Sequence, residues 1–327
     1  MNSQSTHSEG TVAPMKGILW AIFASALWGV SGTILQLISN PKTGFSMPAP
    51  WFLSVRTLSS GVILLFLAAI MYRGAIFNVF RNGRVFLWLL AYGIFGLGAN
   101  LLTFYISVQE GNAAASTILQ YLAPIFIVIG SICFQRKRPL NSDLLVFGIA
   151  LVGVFLAITQ GDFSKLSISL SSLLWGIGSG ITAAFYVVLP RPVLKDNPPI
   201  VVLGWGTLIA GLIFNADFII RNHAPFWAAA PKLPNMSVFG INVALIAIAG
   251  VVLLGTVFPF LSLLHASKFA TSEVVSLVDA TQPVVTFILS IIFFSLHPKL
   301  MEIIGAGLVI IAIYLLQYFH RQPAGKN

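Results

Sequence analysis

Charge is what this chain has least of: Asp, Glu, Lys and Arg make up 8% of its 327 residues. A soluble globular domain carries about 25%, because its surface must face water. With so little charge and a mean hydropathy of +0.93, most of the surface must face lipid. Cysteine is nearly absent too. The single Cys133 lies in an apolar run, which excludes an intrachain disulfide and a thiol cluster for a metal. There is no Walker-type phosphate loop, no His-Glu-x-x-His and no serine elbow. The five histidines, His7, His223, His265, His297 and His320, fall in loops or at the ends of apolar runs. These gaps argue against ATP hydrolysis within the chain, a metal or other cofactor, and an intramembrane enzyme. The net charge of +9 is not read as a nucleic-acid partner, because the basic residues form short clusters between apolar runs. That is the pattern of topology control in a bilayer.

What is present is a series of long apolar runs. A spanning helix uses about 20 residues. The runs near 16–38, 50–72, 85–108, 113–134, 143–160, 168–190, 199–220, 237–263, 270–296 and 300–319 predict an all-α membrane protein with ten transmembrane helices. Residues 1–15 are polar and rich in Ser and Thr, and are expected to form a disordered tail. The first run, after Lys16, exceeds the apolar core of a secretory signal and reads as a retained helix. The stretch from Glu110 to Asn112 is so short that the third and fourth spans must form a tight antiparallel pair.

Basic residues set the expected orientation. Placing both termini with the even-numbered loops gathers twelve on that side: Lys16, Arg73, Arg81, Arg84, Arg136, Lys137, Arg138, Arg191, Lys195, Lys268, Arg321 and Lys326. The other side holds five, Lys42, Lys165, Arg221, Lys232 and Lys299. The positive-inside bias therefore predicts cytoplasmic termini in a multi-pass cell-membrane protein.

The second half echoes the first. Leu19-Trp20-Ala21-Ile22 returns as Leu174-Trp175-Gly176-Ile177, 155 residues later. Gln120, four residues before Pro124, is matched by Asp279, four before Pro283, at a separation of 159. Phe147-Gly148-Ile149 returns as Ile304-Gly305-Ala306 after 157. Three anchors at nearly one spacing indicate an internal repeat, with units 16–160 and 168–320. Five spans is an odd number, so the second copy enters from the opposite side. Two inverted five-helix repeats are an architecture of secondary carriers, with a solute site near the midplane between the halves.

The sequence resembles the EamA-type carriers of the drug/metabolite transporter superfamily. The resembling pieces are Ala26-Leu27-Trp28-Gly29 with Gly32, Arg56, Leu119-Gln120-Tyr121-Leu122-Ala123-Pro124, and Leu173-Leu174-Trp175-Gly176 at the second repeat. They lie in a resemblance that runs from about Lys16 to Phe319. It implies a ten-helix alternating-access carrier, similar to exporters of amino acids and metabolites and set in a bacterial plasma membrane. The chain departs from that pattern in two places. Family members often carry Gly-Glu-Arg after the fourth and ninth spans; here the stretches read Gln135-Arg136-Lys137-Arg138 and Leu296-His297-Pro298. Many also carry Glu before the ninth-span proline, where this chain has Gln282.

Asp279 is the first candidate for function. A carboxylate mid-span costs about 2.5–3.5 kcal/mol on insertion scales, so it should face a cavity or a partner. Gln282, Pro283 and Ser276 share its helix face. Desolvation would favour its protonated form, allowing proton coupling; the bland reading is a neutralised acid that only packs. Glu273, at the start of the same span, is either a coupling site or a carboxylate favoured by the helix dipole. Gln120 and Thr117 lie one and two turns before Pro124. Gln120 can hydrogen-bond a polar solute or a neighbouring helix. Arg56 can clamp a substrate carboxylate, or it can snorkel to headgroups or pair internally. Four aromatics have a polar neighbour about one turn away: Trp28 with Ser31, Phe104 with Asn100, Tyr121 with Thr117, and Tyr186 with Thr182. They are candidates to line a cavity, or else packing residues. The expectation is a secondary transporter exporting a small polar solute such as an amino acid, coupled to protons. The alternative is a multispan receptor or scaffold without flux. The sequence leaves the oligomeric state open.

Overall fold

The computed structural model describes residues 14–41, 45–135, 141–160, 167–231, 236–238, 240–269 and 281–321. Among these, seven helices are long and apolar enough to cross a membrane, and three further apolar helices are shorter. In chain order the helices are α1 (Pro14–Ser39), α2 (Ala49–Tyr72), α3 (Gly83–Glu110), α4 (Ala113–Phe134), α5 (Asn141–Thr159) and α6 (Leu170–Val188). Then come α7 (Pro199–Asn222), α8 (Val243–Ala266), α9 (Thr281–Phe294) and α10 (Leu300–Arg321). The shorter apolar stretches are Leu144–Thr159 of α5, Thr281–Phe294, which is α9, and Leu300–Leu315 of α10. Residues 270–280, which carry Glu273, Ser276 and Asp279, lie outside the described residues, as do residues 1–13 of the expected tail.

Helix starts follow local chemistry, and the two halves use the same devices. Prolines at the first positions of α2 and α7 pre-set φ and remove an N–H that has no intrahelical acceptor. An asparagine caps both α3 and α8: Asn82 Oδ1 accepts from Arg84 N at 2.9 Å, and Asn242 Oδ1 from Ala244 N at 2.8 Å. Asn112 and Ser169 cap α4 and α6 in the same way. One expected start is corrected. Residues 237–242 do not open the eighth span; Ser237–Val238 pairs antiparallel with Ile241–Asn242, and Gly240 turns between them at φ +75°. Glycine takes that left-handed backbone without a steric penalty, and the helix begins only after the Asn242 cap. Apolar content alone cannot separate a short hairpin from a helix start.

The packing has a regular logic. Helices α2 and α7 pair along their lengths, and so do α5 and α10. The second half of α3 packs on α6, and α1 packs on the second half of α8. Helix α4 touches both α6 and α9, while α1 touches α9. Exchanging the first five helices for the last five maps these pairs onto themselves. Direction is fixed by hydrogen bonds. Trp51, at the start of α2, donates to Phe226 O beyond the end of α7 at 2.9 Å. Trp205, early in α7, donates to Ile76 O beyond the end of α2 at 2.8 Å. The two helices therefore run antiparallel. So do α5 and α10, where Gln160 Nε2 donates to Glu302 Oε2 at 2.5 Å. Their crossing is close at Gly305, where an added Cβ would lie 2.5 Å from Gly153 O and against Ala157 N.

The outward faces carry Phe66, Ile70, Leu151, Ile220 and Phe293, all exposed. In water that would be an aggregation surface; in a bilayer it is the lipid contact. Several hydroxyls within the helices turn back to their own backbone. Thr57 donates to Leu53 O at 2.6 Å, Thr207 to Leu203 O at 2.7 Å and Thr33 to Gly29 O at 3.1 Å.

Candidate functional site

Three helices lose regular geometry midway, where a spanning helix can least afford free backbone groups. Pro124 has no N–H to offer the carbonyl of Gln120, and α4 breaks there into Ala113–Gln120 and Ala123–Gln135. The turn is held by short-range bonds, Leu122 N to Leu119 O at 3.2 Å and Ile125 N to Leu122 O at 2.9 Å. Helices α3 and α8 each contain a π-helical segment, Tyr92–Gly98 and Leu253–Val257, at matching places in the two halves. Such segments release carbonyls and recur at functional sites.

Polar side chains gather around these irregularities. Gln120 donates from Nε2 to Asn100 Oδ1 at 2.9 Å and to Ser179 Oγ at 3.1 Å, linking α4, α3 and α6. The Ser179 hydroxyl also reaches Asn100 Oδ1, at 3.4 Å. Among the described residues, Oε1 of Gln120 and the amide nitrogen of Asn100 have no partner, and both side chains are partly exposed. The cluster therefore offers a solute one amide oxygen as acceptor and the two N–H donors of the Asn100 amide. A turn away, Thr103 and Thr182 join α3 to α6 through their hydroxyls at 3.0 Å. Tyr121, on another face of α4, donates to Gln282 Oε1 of α9 at 3.3 Å. It also edges an apolar groove of about 220 Å³ lined by Ile118, Pro283, Phe287, Ile303 and Val309.

A second polar group forms where α1, α2 and α8 meet. The carbonyl of Gly255, inside the π segment, accepts from Trp28 Nε1 at 3.2 Å and from an Arg56 Nη at 3.3 Å. The Trp28 ring stands edge-on to Phe260, with centroids 5.3 Å apart. Arg56 is only 8% exposed, and its buried Nε–H has no partner among the described residues. Its guanidinium turns inward to the middle of α8 instead of reaching for headgroups.

The structure thus brings Asn100 to Gln120, Tyr121 to Gln282, and Trp28 to Arg56. It places Phe104 in the apolar interior with Leu35, Phe52 and Tyr105. Thr117 is fully buried, its hydroxyl unpaired among the described residues, and the Tyr186 ring lies 5.7 Å from that of Tyr92. Asp279 and Glu273 are outside the described residues. Sequence reasoning did not name Ser179, set between Gly178 and Gly180, nor the Gln160–Glu302 pair, although Glu302 is the one acid in the last apolar run. Among the described residues no cluster of His, Cys, Asp and Glu could hold a metal.

Comparison with known proteins agrees with this architecture. The EamA-like transporter family profile matches residues 15–159 and again residues 170–318. An uncharacterized inner membrane transporter of Salmonella typhimurium, YicL, is 29% identical over 310 residues, covering 94% of this chain and 97% of its own length. The uncharacterized transporter YyaM of Bacillus subtilis is 26% identical over 242 residues, covering 71% of this chain and 72% of its own. One protein of known crystal structure superposes with a TM-score of 0.57 at 15% identity, over 95% of this chain and 99% of that one. At that identity the likeness concerns the fold.

Proposed function

The chain belongs to the EamA-like transporter family, and from that premise we propose that it is a secondary carrier exporting a small polar metabolite, such as an amino acid, by alternating access. In this reading ten helices form two inverted five-helix repeats in the cell membrane, with both termini cytoplasmic. The observation that carries it is the pairing pattern: it is unchanged when the halves are exchanged, and the equivalent helices α2 and α7 run antiparallel. Opposed copies around one polar centre can open that centre to either side by the same rocking motion. The solute binds at Gln120, Asn100 and Ser179, where amide groups are unused. The broken α4 and the π segments of α3 and α8 absorb the backbone change. Asp279 is the proposed proton carrier, since a mid-span carboxylate is affordable when it exchanges a proton or binds a partner.

Purified protein in liposomes, offered a panel of labelled amino acids and metabolites, tests this. Saturable flux of one solute class is the expected result. Ligand binding with no flux would replace the carrier with a receptor or scaffold.

A further inference from the structure

We propose that Arg56 is the anion-binding group of the transport site, so that the carried solute presents a carboxylate to the guanidinium between α1, α2 and α8. This rests on the carrier reading and names its substrate class.

A guanidinium has five N–H groups and cannot be neutralised by losing a proton. Arg56 spends one on the Gly255 carbonyl, at a long 3.3 Å, and its buried Nε–H has no partner among the described residues. No carboxylate pairs with it among the described residues, whose ion pair, Arg221 with Asp217, sits at the exposed end of α7. A buried cation left this way is costly, and intramembrane charges persist where they meet a partner or line a solute path.

The surroundings are built to hold one edge of the guanidinium and leave the rest unused. At Gly255 an added Cβ would lie 3.2 Å from the Arg56 Nη and against the Ser31 side chain, so glycine leaves room here for both side chains. The Gly255 carbonyl is doubly engaged, because Trp28 Nε1 also donates to it. It is midway along α8, and Trp28 is midway along α1, so the charge is held near mid-depth although Arg56 lies early in α2. Trp28 is followed by Gly29, where a Cβ would lie 3.0 Å from Gln282 O on α9. Gln282 in turn accepts from Tyr121, the neighbour of Gln120. Contacts therefore run from the cation through Trp28, Gly29 and Gln282 to Tyr121, on the helix that also carries Gln120.

The test pairs each carboxylate of a panel of amino acids and simple monocarboxylates, benzoate included, with its primary amide. Two readouts are used: competition for flux in proteoliposomes, and thermal stabilisation of the detergent-purified protein. Wild type should favour at least one acid over its amide about ten- to a hundredfold, the range of a charge-assisted hydrogen bond. Arg56→Gln should bring that preference within about twofold, and Arg56→Lys, which keeps charge but not the planar fork, should retain part of it. Equal competition by acid and amide in wild type, or an acid preference that survives in Arg56→Gln, overturns the assignment. So does a double variant Arg56→Gln/Asp279→Asn that restores stability lost in each single one, because Arg56 would then be the counter-ion of Asp279. If the Gln variant does not fold, the Lys variant decides: an undiminished preference counts against the fork. Saturable flux of cations or neutral solutes without acid preference sinks the Arg56 role and leaves the carrier. Acid-specific stabilisation that needs Arg56, with no flux of any solute, does the reverse.

Discussion

Replacing Gln120 with Leu separates a transport site from a helix strut. The substitution keeps approximate volume and removes two interhelical hydrogen bonds, to Asn100 Oδ1 at 2.9 Å and Ser179 Oγ at 3.1 Å. Within membranes such bonds contribute about 0.6 kcal/mol on average and about 1.7 at most, so the gross loss is roughly 1–3 kcal/mol. Part of it is offset, because Leu needs no partner and Ser179 can still bond Asn100. The free Oε1 matters differently. If it accepts from the solute, its loss leaves a solute donor unsatisfied in a dry site, at about 1–3 kcal/mol. That corresponds to a rise in KM of about five- to 150-fold. The assay is concentration-dependent flux in proteoliposomes, with melting of the same preparations in detergent. The expected result is a large rise in KM with a small fall in melting temperature. A clear loss of stability with KM unchanged within twofold would make Gln120 a strut and refute the reasoning.

Two further substitutions probe other parts of the account. Gly305→Leu should drive α5 and α10 apart, because the new side chain meets the backbone of Gly153 and Ala157 and neither can yield. Overpacking of this kind costs about 1–3 kcal/mol, read as a lowered melting temperature, and an unchanged melt would contradict the close crossing. Asp279→Asn should abolish the component of flux driven by an imposed pH gradient. A full pH-driven component in that variant would remove Asp279 from the mechanism while leaving the carrier in place.

The apolar runs and the repeat were legible because both are properties of pattern. Lipid demands long apolar stretches, and a duplicated unit leaves matching anchors such as Gly148 and Gly305. Gln120 was legible as a polar side chain one turn before a proline. Asn100 was named as well, beside Phe104, but its bond to Gln120 was not foreseen, and Ser179 went unnamed because it lies 59 residues from Gln120 and is one of many serines. The inward turn of Arg56 was equally hidden. Early placement in α2 suits a snorkelling side chain, and only the π segment of α8 brings a carbonyl within its reach. That segment has no clear sequence signature beyond glycine, and it packs against α1 and α2. The hairpin at 237–242 was missed because its residues read as the start of an apolar run.

The antiparallel course of equivalent helices is the claim on which the carrier rests, and paired cysteine labelling tests it directly. In a Cys133→Ser background, Arg81→Cys marks the connection after α2, and Trp227→Cys marks the connection after α7, its counterpart in the other half. An impermeant thiol reagent added to whole cells should label position 227, and should reach position 81 only after the membrane is opened. Labelling of both positions from the same side would mean that the halves insert in parallel, and alternating access by opposed repeats would have to be abandoned.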